Sequence, residues 1–288
     1  MRLLCFDISS GGITASVLDS RLANLESTEE QWKLDTDERG AAALSAKNIE
    51  QYFKSAIRRL ESVEGIDAIC IATFMHNFML VDEADEPLTP VFTWLDSRGN
   101  EGVEFIRSHL GDRFHQITGC RYHPMFPIFK LAAVRMNDAQ LWRRTRRIVS
   151  IKALLIHRLT GAWVEDLGSA SATGMFNVLS ADWENELLKL LESDKSQLPA
   201  LADRTDIAGR VRAEAASQYG LPAGVPVIVG SGDGFLANLG SECETPSRIA
   251  VTLGTSAVAR QTLSRPVLSE DAGTFCYRAD QALSLIHI

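Results

Sequence analysis

The chain has 288 residues, of which 45% are hydrophobic and 23% are charged. This composition is typical of a globular protein, and the length suits two domains. The formal net charge of -8 argues against nucleic acid or an anionic membrane as the main partner. No apolar run reaches the length of a transmembrane helix.

Cysteine usage and the first residues point to a reducing compartment. Arg2 and Asp7 place charges too early for a secretory signal. The cysteines are odd in number, scattered and without a C-x-x-C pair, which disfavours disulfide and metal frameworks. They are Cys5, Cys70, Cys120, Cys243 and Cys276. A cytoplasmic location is therefore expected.

The first predicted elements are a strand over residues 3–7, a Gly/Ser turn and a return strand over 13–18. The backbone N–H groups and hydroxyls of such a turn, here Ser9, Ser10, Gly11 and Gly12, can cradle a phosphate. Asp7, at the mouth of the hairpin, could hold Mg²⁺ directly or through water. An ordinary hairpin with a polar turn is the competing interpretation.

An extended segment, a helix and two strands follow. The segment is predicted over 25–34, and Ser45 opens a helix whose apolar residues recur at three- and four-residue spacing. Buried strands are predicted over 66–72 and 78–81.

The next stretch contains alternating Trp94, Asp96 and Arg98. On an extended backbone these side chains would share one side and offer an aromatic platform, an acid and a fork donor to a polyhydroxylated ligand. A surface Asp–Arg pair beside a half-buried Trp is the alternative. His76 could likewise be a purely structural histidine.

The middle of the chain is predicted to be mainly helical, with a small-residue loop at 168–174. Helices are expected near 99–110, 127–136, 139–145, 151–159, 184–192 and 213–219, and a strand over 148–150.

An apolar run over 225–229 predicts a buried strand that leads into Gly232, Asp233 and Gly234 and then a helix. A carboxylate between two glycines at a strand-to-helix junction lies on bare backbone, where a ligand can approach closely. It could accept a proton or bind a metal. It could equally be a helix cap, because Asp is a favoured N-cap residue.

The last elements repeat the design of the first ones. Strands over 249–253 and 257–262 flank the turn Gly254, Thr255 and Ser256, which suggests two similar domains facing a cleft. About 30 further residues cannot bury a second core. We therefore expect a truncated chain whose residues 283–288 are of doubtful native origin.

In the order of its motifs, the chain resembles the FGGY carbohydrate kinases, and among them the gluconate and pentulose kinases. The resemblance runs from Leu3 to about Thr262. The matching stretches are residues 74–77, 87–90, 94–98, 118–119 with 123–125, 159–161, 170–174, 232–233 and 254–256.

The resemblance implies an α/β fold: an actin-like ATPase (ribonuclease H-like) domain, with a mixed sheet flanked by helices, and the beginning of a second similar domain. Residues 1–244 would form the sugar-binding domain, and 245–288 the start of a nucleotide-binding domain. ATP and Mg²⁺ are the implied cofactors. The oligomeric state stays open, a homodimer being one candidate.

Specific positions inherit roles from this resemblance. Asp233 matches the general base, Asp7 the metal-binding acid, and the turns 9–12 and 254–256 the two phosphate motifs. The sugar side comprises Met75, His76, Trp94, Asp96, Arg98 and Met125.

Departures from the family pattern concern four positions. Ser9 begins a turn that usually reads Gly-Thr-Ser, Thr14 stands where a basic residue is expected, and Gly234 replaces a common Asn or Gln. Lys130 of the family signature is present, but Ala133 replaces its usual Trp.

The function implied is ATP-dependent phosphorylation of a hydroxyl on a sugar or sugar acid, with gluconate or a pentulose such as xylulose as the substrate. An actin-like ATP-binding regulator and a catalytically inactive kinase fragment are the alternatives.

Overall fold

A computed structural model describes residues 1–253, 257–269 and 273–287. The strands, in chain order, are β1 Leu3–Ile8, β2 Gly12–Leu18, β3 Asn24–Gln31, β4 Asp35–Thr36, β5 Ala42–Leu44, β6 Ala68–Thr73, β7 Met79–Val81, β8 Val91–Phe92, β9 Arg147–Val149, β10 Val164–Asp166, β11 Phe176–Asn177, β12 Asp182–Trp183, β13 Ala200–Ala202, β14 Ile207–Arg210, β15 Pro226–Ile228, β16 Ile249–Leu253, β17 Ala257–Leu263, β18 Phe275–Arg278 and β19 Ser284–His287.

The helices are α1 Ala46–Arg58, α2 Asn100–Leu110, α3 Arg113–Thr118, α4 Pro127–Asn137, α5 Ala139–Arg144, α6 Ile151–Thr160, α7 Leu167–Ser171, α8 Asn185–Leu190, α9 Ala213–Tyr219 and α10 Asp233–Gly240. A 3₁₀ turn spans Lys195–Gln197.

The central sheet is mixed, as expected, with the order β14-β15-β6-β1-β2-β3. Strands β1, β6 and β15 are parallel to one another. Strands β2, β3 and β14 pair antiparallel with their neighbours. The carboxyl ends of the three parallel strands therefore meet at one edge of the sheet, and this edge carries the candidate site.

Alternation along β1 decides which side chains enter the core. Leu4, Phe6 and Ile8 are at most 2% exposed and join a core built with α1, α6 and α9. Phe6 lies 4.4 Å from Phe53 of α1 between ring centroids. Asp7 points to the other face, where it remains exposed.

Local signals in the sequence explain where the predicted helices begin and end. Ser45 caps α1, because its hydroxyl accepts a hydrogen bond from the N–H of Asn48. Gly161 ends α6 in a left-handed conformation with φ 83°. Both predictions are confirmed.

A second core lies beside the sheet and packs α2 and α4 against one another. It is rich in aromatic residues: Phe114, Phe126 and Phe129 are fully buried. Strands β7 and β9 pair antiparallel in a separate two-stranded sheet, and their side chains contribute to both cores.

The prediction of a loop over 168–174 is wrong for residues 168–171, whereas residues 172–174 do form a turn. Residues 167–171 form the buried helix α7, and Asp166 caps it by accepting a hydrogen bond from the N–H of Ser169 at 3.0 Å. Small residues are compatible with a helix when a cap and tight packing supply the stabilisation.

The final described segments form a four-stranded sheet with the order β16-β17-β19-β18. Strands β16 and β17 pair antiparallel, as predicted, whereas the turn Gly254, Thr255 and Ser256 lies outside the described residues. Residues 284–287 form β19 and pair with both β17 and β18. Within the described ranges, no helix is long and apolar enough to cross a membrane.

Gly230, between β15 and α10, offers a test of this geometry. Its φ is +67°, and a Cβ there would overlap the carbonyl oxygen of Ile71. Gly224 has a φ of +80° but open space around it. We predict that Gly224→Ala lowers the unfolding free energy by about 1–2 kcal/mol, and Gly230→Ala by at least ~3 kcal/mol. Equal losses in urea unfolding would contradict the close approach.

Candidate active site

Asp233 lies at the start of α10, directly after the loop that leaves β15. Gly232 is the N-cap residue, and Asp233 is the first helical residue. Its Oδ1 accepts a hydrogen bond from the N–H of Gly234 at 2.7 Å. The alternative that Asp233 is the N-cap of this helix is therefore wrong, and its carboxylate is available for another role.

The loop before Asp233 is fastened to the end of β6. Thr73 forms a parallel bridge with Gly232, and its N–H donates to the carbonyl of Ser231 at 3.4 Å. Since β1 pairs with β6 on its other side, Asp7 at the end of β1 comes near Asp233. The structure thus brings together two acids that are more than 200 positions apart in the sequence.

The electrostatics of this edge favour proton acceptance. Although Asp233 reaches solvent, crowding by the surrounding protein raises the pKa of its carboxyl, and the charge of Asp7 adds to the rise. The Gly234 N–H and the Arg260 guanidinium oppose it. Crowding by the surrounding protein likewise raises the pKa of Asp7, although its side chain reaches solvent. A carboxylate with a raised pKa is a stronger base.

Gly234 lies against the side chain of Met75. A Cβ at this position would lie 3.0 Å from Sδ of Met75 and 3.5 Å from Nε of Arg260. Met75 is itself buried, and its side chain approaches Gly232 more closely still. A side chain at position 234 would therefore require the thioether of Met75 to shift slightly.

His76 is buried and held in a strained conformation. Its φ is +60°, which is uncommon for a residue other than glycine. Nδ1 lies 2.7 Å from the carbonyl oxygen of Ala172, and the ring packs edge-on against Phe126 and Tyr277. Burial lowers the pKa of His76 to about 3. The ring is therefore neutral, with Nδ1 as donor and Nε2 as acceptor.

Trp94, Asp96 and Arg98 do not share one side of an extended strand, and that prediction is wrong. The chain turns after β8, so that Trp94 is 42% exposed and Asp96 is fully buried. Asp96 forms a bidentate pair with Arg98, with Nη2 and Oδ2 2.6 Å apart, and accepts from the N–H of Ala42. The Asp96–Arg98 pair therefore orders this loop independently of any contact that Trp94 makes.

Met125 lies in a second loop, at residues 123–126, and is half-buried. This loop approaches the first one through Lys130 of α4, whose ammonium contacts carbonyl oxygens of both loops. The predicted sugar-side residues thus fall on two neighbouring loops and on the segment that holds Met75 and His76.

The sequence prediction missed a buried charged cluster beneath Asp233. Lys152 of α6 forms ion pairs with Asp166 and with Glu165, the latter at 3.1 Å between Nζ and Oε1. Asp166 also accepts a hydrogen bond from the hydroxyl of Ser231 at 2.8 Å. The sequence signal for this cluster is the presence of charged residues inside otherwise apolar runs. Charged residues are rarely buried unless they are paired, so such positions indicate a buried ion pair.

The pKa values in this cluster follow from burial and pairing. Burial alone would lower the pKa of Lys152, but the carboxylates of Asp166 and Glu165 outweigh it and raise the pKa. Burial raises the pKa of Glu165. The pKa of Asp166 is lowered, because Lys152 and the bonds from Ser169 and Ser231 overcome its burial. A Lys152–Asp166 ion pair is the arrangement that these shifts favour.

The turn between β1 and β2 is already satisfied internally. The N–H groups of Gly11 and Gly12 donate to Oγ of Ser9, at 3.2 and 3.0 Å. The carbonyl of Ser10 accepts from the indole of Trp32. The N–H groups of Gly11 and Gly12, which are predicted to hold a phosphate, therefore both point at the hydroxyl oxygen of Ser9.

Asp7 has the chemistry that a magnesium ion requires. None of the described residues donates a hydrogen bond to its carboxylate, and its cross-strand neighbour is Thr14 instead of a cation. Among the described residues, no three His, Cys, Asp or Glu side chains form a group that could hold a metal ion by themselves. This fits a magnesium ion held by one carboxylate, water and phosphate oxygens.

A groove of about 730 Å³ lies elsewhere on the surface, beside the N-terminal half of α1. None of the predicted site residues lines it; its walls include Glu50, Glu86, Arg158 and Tyr219. The hydroxyl of Tyr219 donates to Oε1 of Glu50 at 2.6 Å within this lining. The size of the groove alone does not connect it to the paired acids.

Comparison with known proteins decides the family. A family model described as the FGGY family of carbohydrate kinases, N-terminal domain, matches residues 3–240. The chain belongs to the FGGY family. The actin-like ATPase fold expected from the sequence is therefore confirmed.

Two FGGY relatives and one solved structure illustrate the similarity. The gluconokinase of Bacillus subtilis (strain 168) is 32% identical over 238 residues, covering 80% of this chain and 46% of the relative. The xylulose kinase of Escherichia coli (strain K12) is 27% identical, covering 85% and 52%. The gluconate kinase structure from Lactobacillus acidophilus matches with a TM-score of 0.93 and 26% identity, covering 99% of this chain and 59% of the other. The chain spans about half the length of these relatives.

His76 makes the stability of this FGGY chain depend on pH. Its pKa is about 3 in the folded chain and 6.5 unfolded, so the unfolded state binds more protons between these values. Stability contributed by the neutral ring is present above pH 6.5 and is lost as the pH falls. We predict that the wild-type advantage in unfolding free energy over His76→Gln shrinks by about 3 kcal/mol from pH 7 to pH 4. Urea titrations that stay parallel would contradict the buried neutral histidine.

Proposed function

We propose that this chain supplies the sugar site and the general base of an ATP-dependent carbohydrate kinase. The observation that carries the proposal is the pair Asp233 and Asp7 at the carboxyl ends of parallel strands, with the pKa of both carboxyls raised. One acid is suited to accept a proton and the other to bind a metal. In a chain of the FGGY family, phosphoryl transfer to a hydroxyl uses both roles.

In the proposed mechanism, Asp233 accepts the proton of the attacking hydroxyl. The short bond from the Gly234 N–H fixes one carboxylate oxygen, and the backbone of Met75 also bonds the carboxyl. Arg260 lies close enough to influence the charge of Asp233 and would stabilise the carboxylate before proton transfer. Asp7 would hold Mg²⁺, which neutralises phosphate charge when bound.

The sugar would bind between Met75, His76 and the two loops that carry Trp94 and Met125. A neutral His76 offers Nε2 as an acceptor for a sugar hydroxyl, and Met75 supplies an apolar contact beside Asp233. Because Asp96 is occupied by Arg98 and Ala42, we assign it the role of ordering the loop.

Gluconate or a pentulose such as xylulose is the proposed substrate, and residues 1–244 are the proposed sugar-binding domain. The names of the two relatives, gluconokinase and xylulose kinase, support this substrate class. Calorimetric titration with D-gluconate, D-xylulose, D-ribulose and glycerol tests it, followed by measurement of sugar-stimulated ADP release.

The outcomes separate the proposal from its two alternatives. Sugar binding with ADP release supports a kinase. Sugar binding without ADP release supports an inactive kinase fragment, and nucleotide binding without any sugar response supports an actin-like regulator.

Asp233→Asn tests the general base. Because the amide cannot accept the hydroxyl proton, we predict a loss of roughly 10²–10⁴ in kcat with sugar affinity largely retained. The measurement is sugar-dependent ADP release by this chain, or by a longer chain that contains it if this chain binds sugar without turnover.

Asp138→Asn is the matched control for Asp233→Asn. Asp138 caps α5 through a bond from the N–H of Leu141 at 2.8 Å, far from the paired acids in the sequence. Asn is an equally good cap, so both stability and kcat should be kept. Near-wild-type turnover in Asp233→Asn would refute the assignment.

A further inference from the structure

Lys130 of α4 is a buried lysine that ties two loops together, and burial lowers the pKa of its ammonium to about 7. Lys130 is only 2% exposed. Nζ donates to the carbonyl oxygens of Thr93 at 3.1 Å and Asp96 at 3.3 Å, and to those of Pro124 at 3.0 Å and Met125 at 2.8 Å. The described residues place no carboxylate oxygen within ion-pair distance of this ammonium, so backbone carbonyls are its main partners.

The four acceptors come in two pairs from two different loops. Thr93 and Asp96 belong to the turn after β8, which is called the first loop here and spans residues 93–98. Pro124 and Met125 belong to the second loop, residues 123–126. An ammonium has three N–H groups, so four acceptors share them and the loops converge on one atom.

The first loop is held by its own hydrogen bonds and by bonds to β5. Asp96 binds Arg98 and the N–H of Ala42, and the hydroxyl of Thr93 donates to the carbonyl of Ala42 at 2.7 Å. These bonds fix the shape of the loop and its contact with β5. The bonds from Lys130 fix its position relative to the second loop and to α4.

Losing the ammonium would separate the loops. Without this donor the carbonyl groups would have to be hydrated, because an unpaired buried acceptor is unfavourable. The first loop carries exposed Trp94 and the second carries half-buried Met125, so their separation would change the spacing between those side chains.

We propose that Lys130 is a positioning residue that sets the width of the sugar site by holding the first and second loops at a fixed spacing. The proposal rests on the proposed function, since it takes the two loops to be walls of the sugar site. Lys130 itself does not contact the sugar, because its donors are all directed at protein carbonyls.

The test is calorimetric titration of the whole chain with D-gluconate and D-xylulose. Lys130→Met should weaken the binding of the sugar by at least about tenfold, equivalent to about 1.4 kcal/mol. Arg135→Met is the matched control on the same helix, because Arg135 pairs with Glu192 and not with either loop. It should change the affinity by less than about twofold.

A merely structural role predicts a different pattern. In that case Lys130→Met would lower the melting temperature and leave the sugar affinity of the folded chain unchanged, which would overturn the proposal. If Lys130→Met does not fold, Lys130→Gln, which keeps two N–H donors on a shorter stem, is titrated in the same way.

Hydrogen exchange of the wild-type chain gives an independent readout. With D-gluconate or D-xylulose bound, amides of the first and second loops should gain protection together, because one ammonium joins them. Protection confined to one loop would overturn the proposal. A wild-type chain that binds neither sugar refutes the proposed function instead, so the two failures are distinguishable.

Discussion

The position of Asp233 depends on an ion pair that never meets solvent. Lys152 and Asp166 are both fully buried, and Asp166 holds the hydroxyl of Ser231 two residues before Asp233. Removing one partner of such a pair typically costs about 3–5 kcal/mol, because the other charge is left uncompensated. The same carboxylate caps α7, so helix and loop share one anchor.

Much of the fold could be predicted, because its signals are local. The cap at Ser45, the glycine after α6 and the period-two burial of β1 each follow from neighbouring residues. The prediction failed at α7, where the cap comes from Asp166 and packing from the rest of the chain overrides small-residue composition. The pairing of β1 with β6 is a long-range property that periodicity does not contain.

The candidate site was predicted in part, and its errors have a physical cause. Alternation of Trp94, Asp96 and Arg98 indicates one face only if the backbone is extended. Here the backbone turns, and the buried Asp96 accepts hydrogen bonds from the N–H groups of Ala42 and Arg98. Asp233 and Asp7 could be selected from the sequence by residue type, but the cluster around Lys152 that holds the loop could not. Its members come from different elements, and their charges have meaning only once the chain has folded.

The turn that begins at Ser9 shows how a binding loop can be kept in shape without its ligand. Its hydroxyl oxygen receives the two N–H groups that a phosphate oxygen would take, so the conformational entropy of the turn is lost during folding. A phosphate arriving there exchanges one acceptor for another. The free energy gained is the difference between hydrogen bonds to a charged acceptor and to a neutral one. This difference is smaller than the free energy of newly formed hydrogen bonds. Ser9 therefore orders the turn but lowers its affinity for phosphate, and a nucleotide would be held mainly by contacts outside this turn.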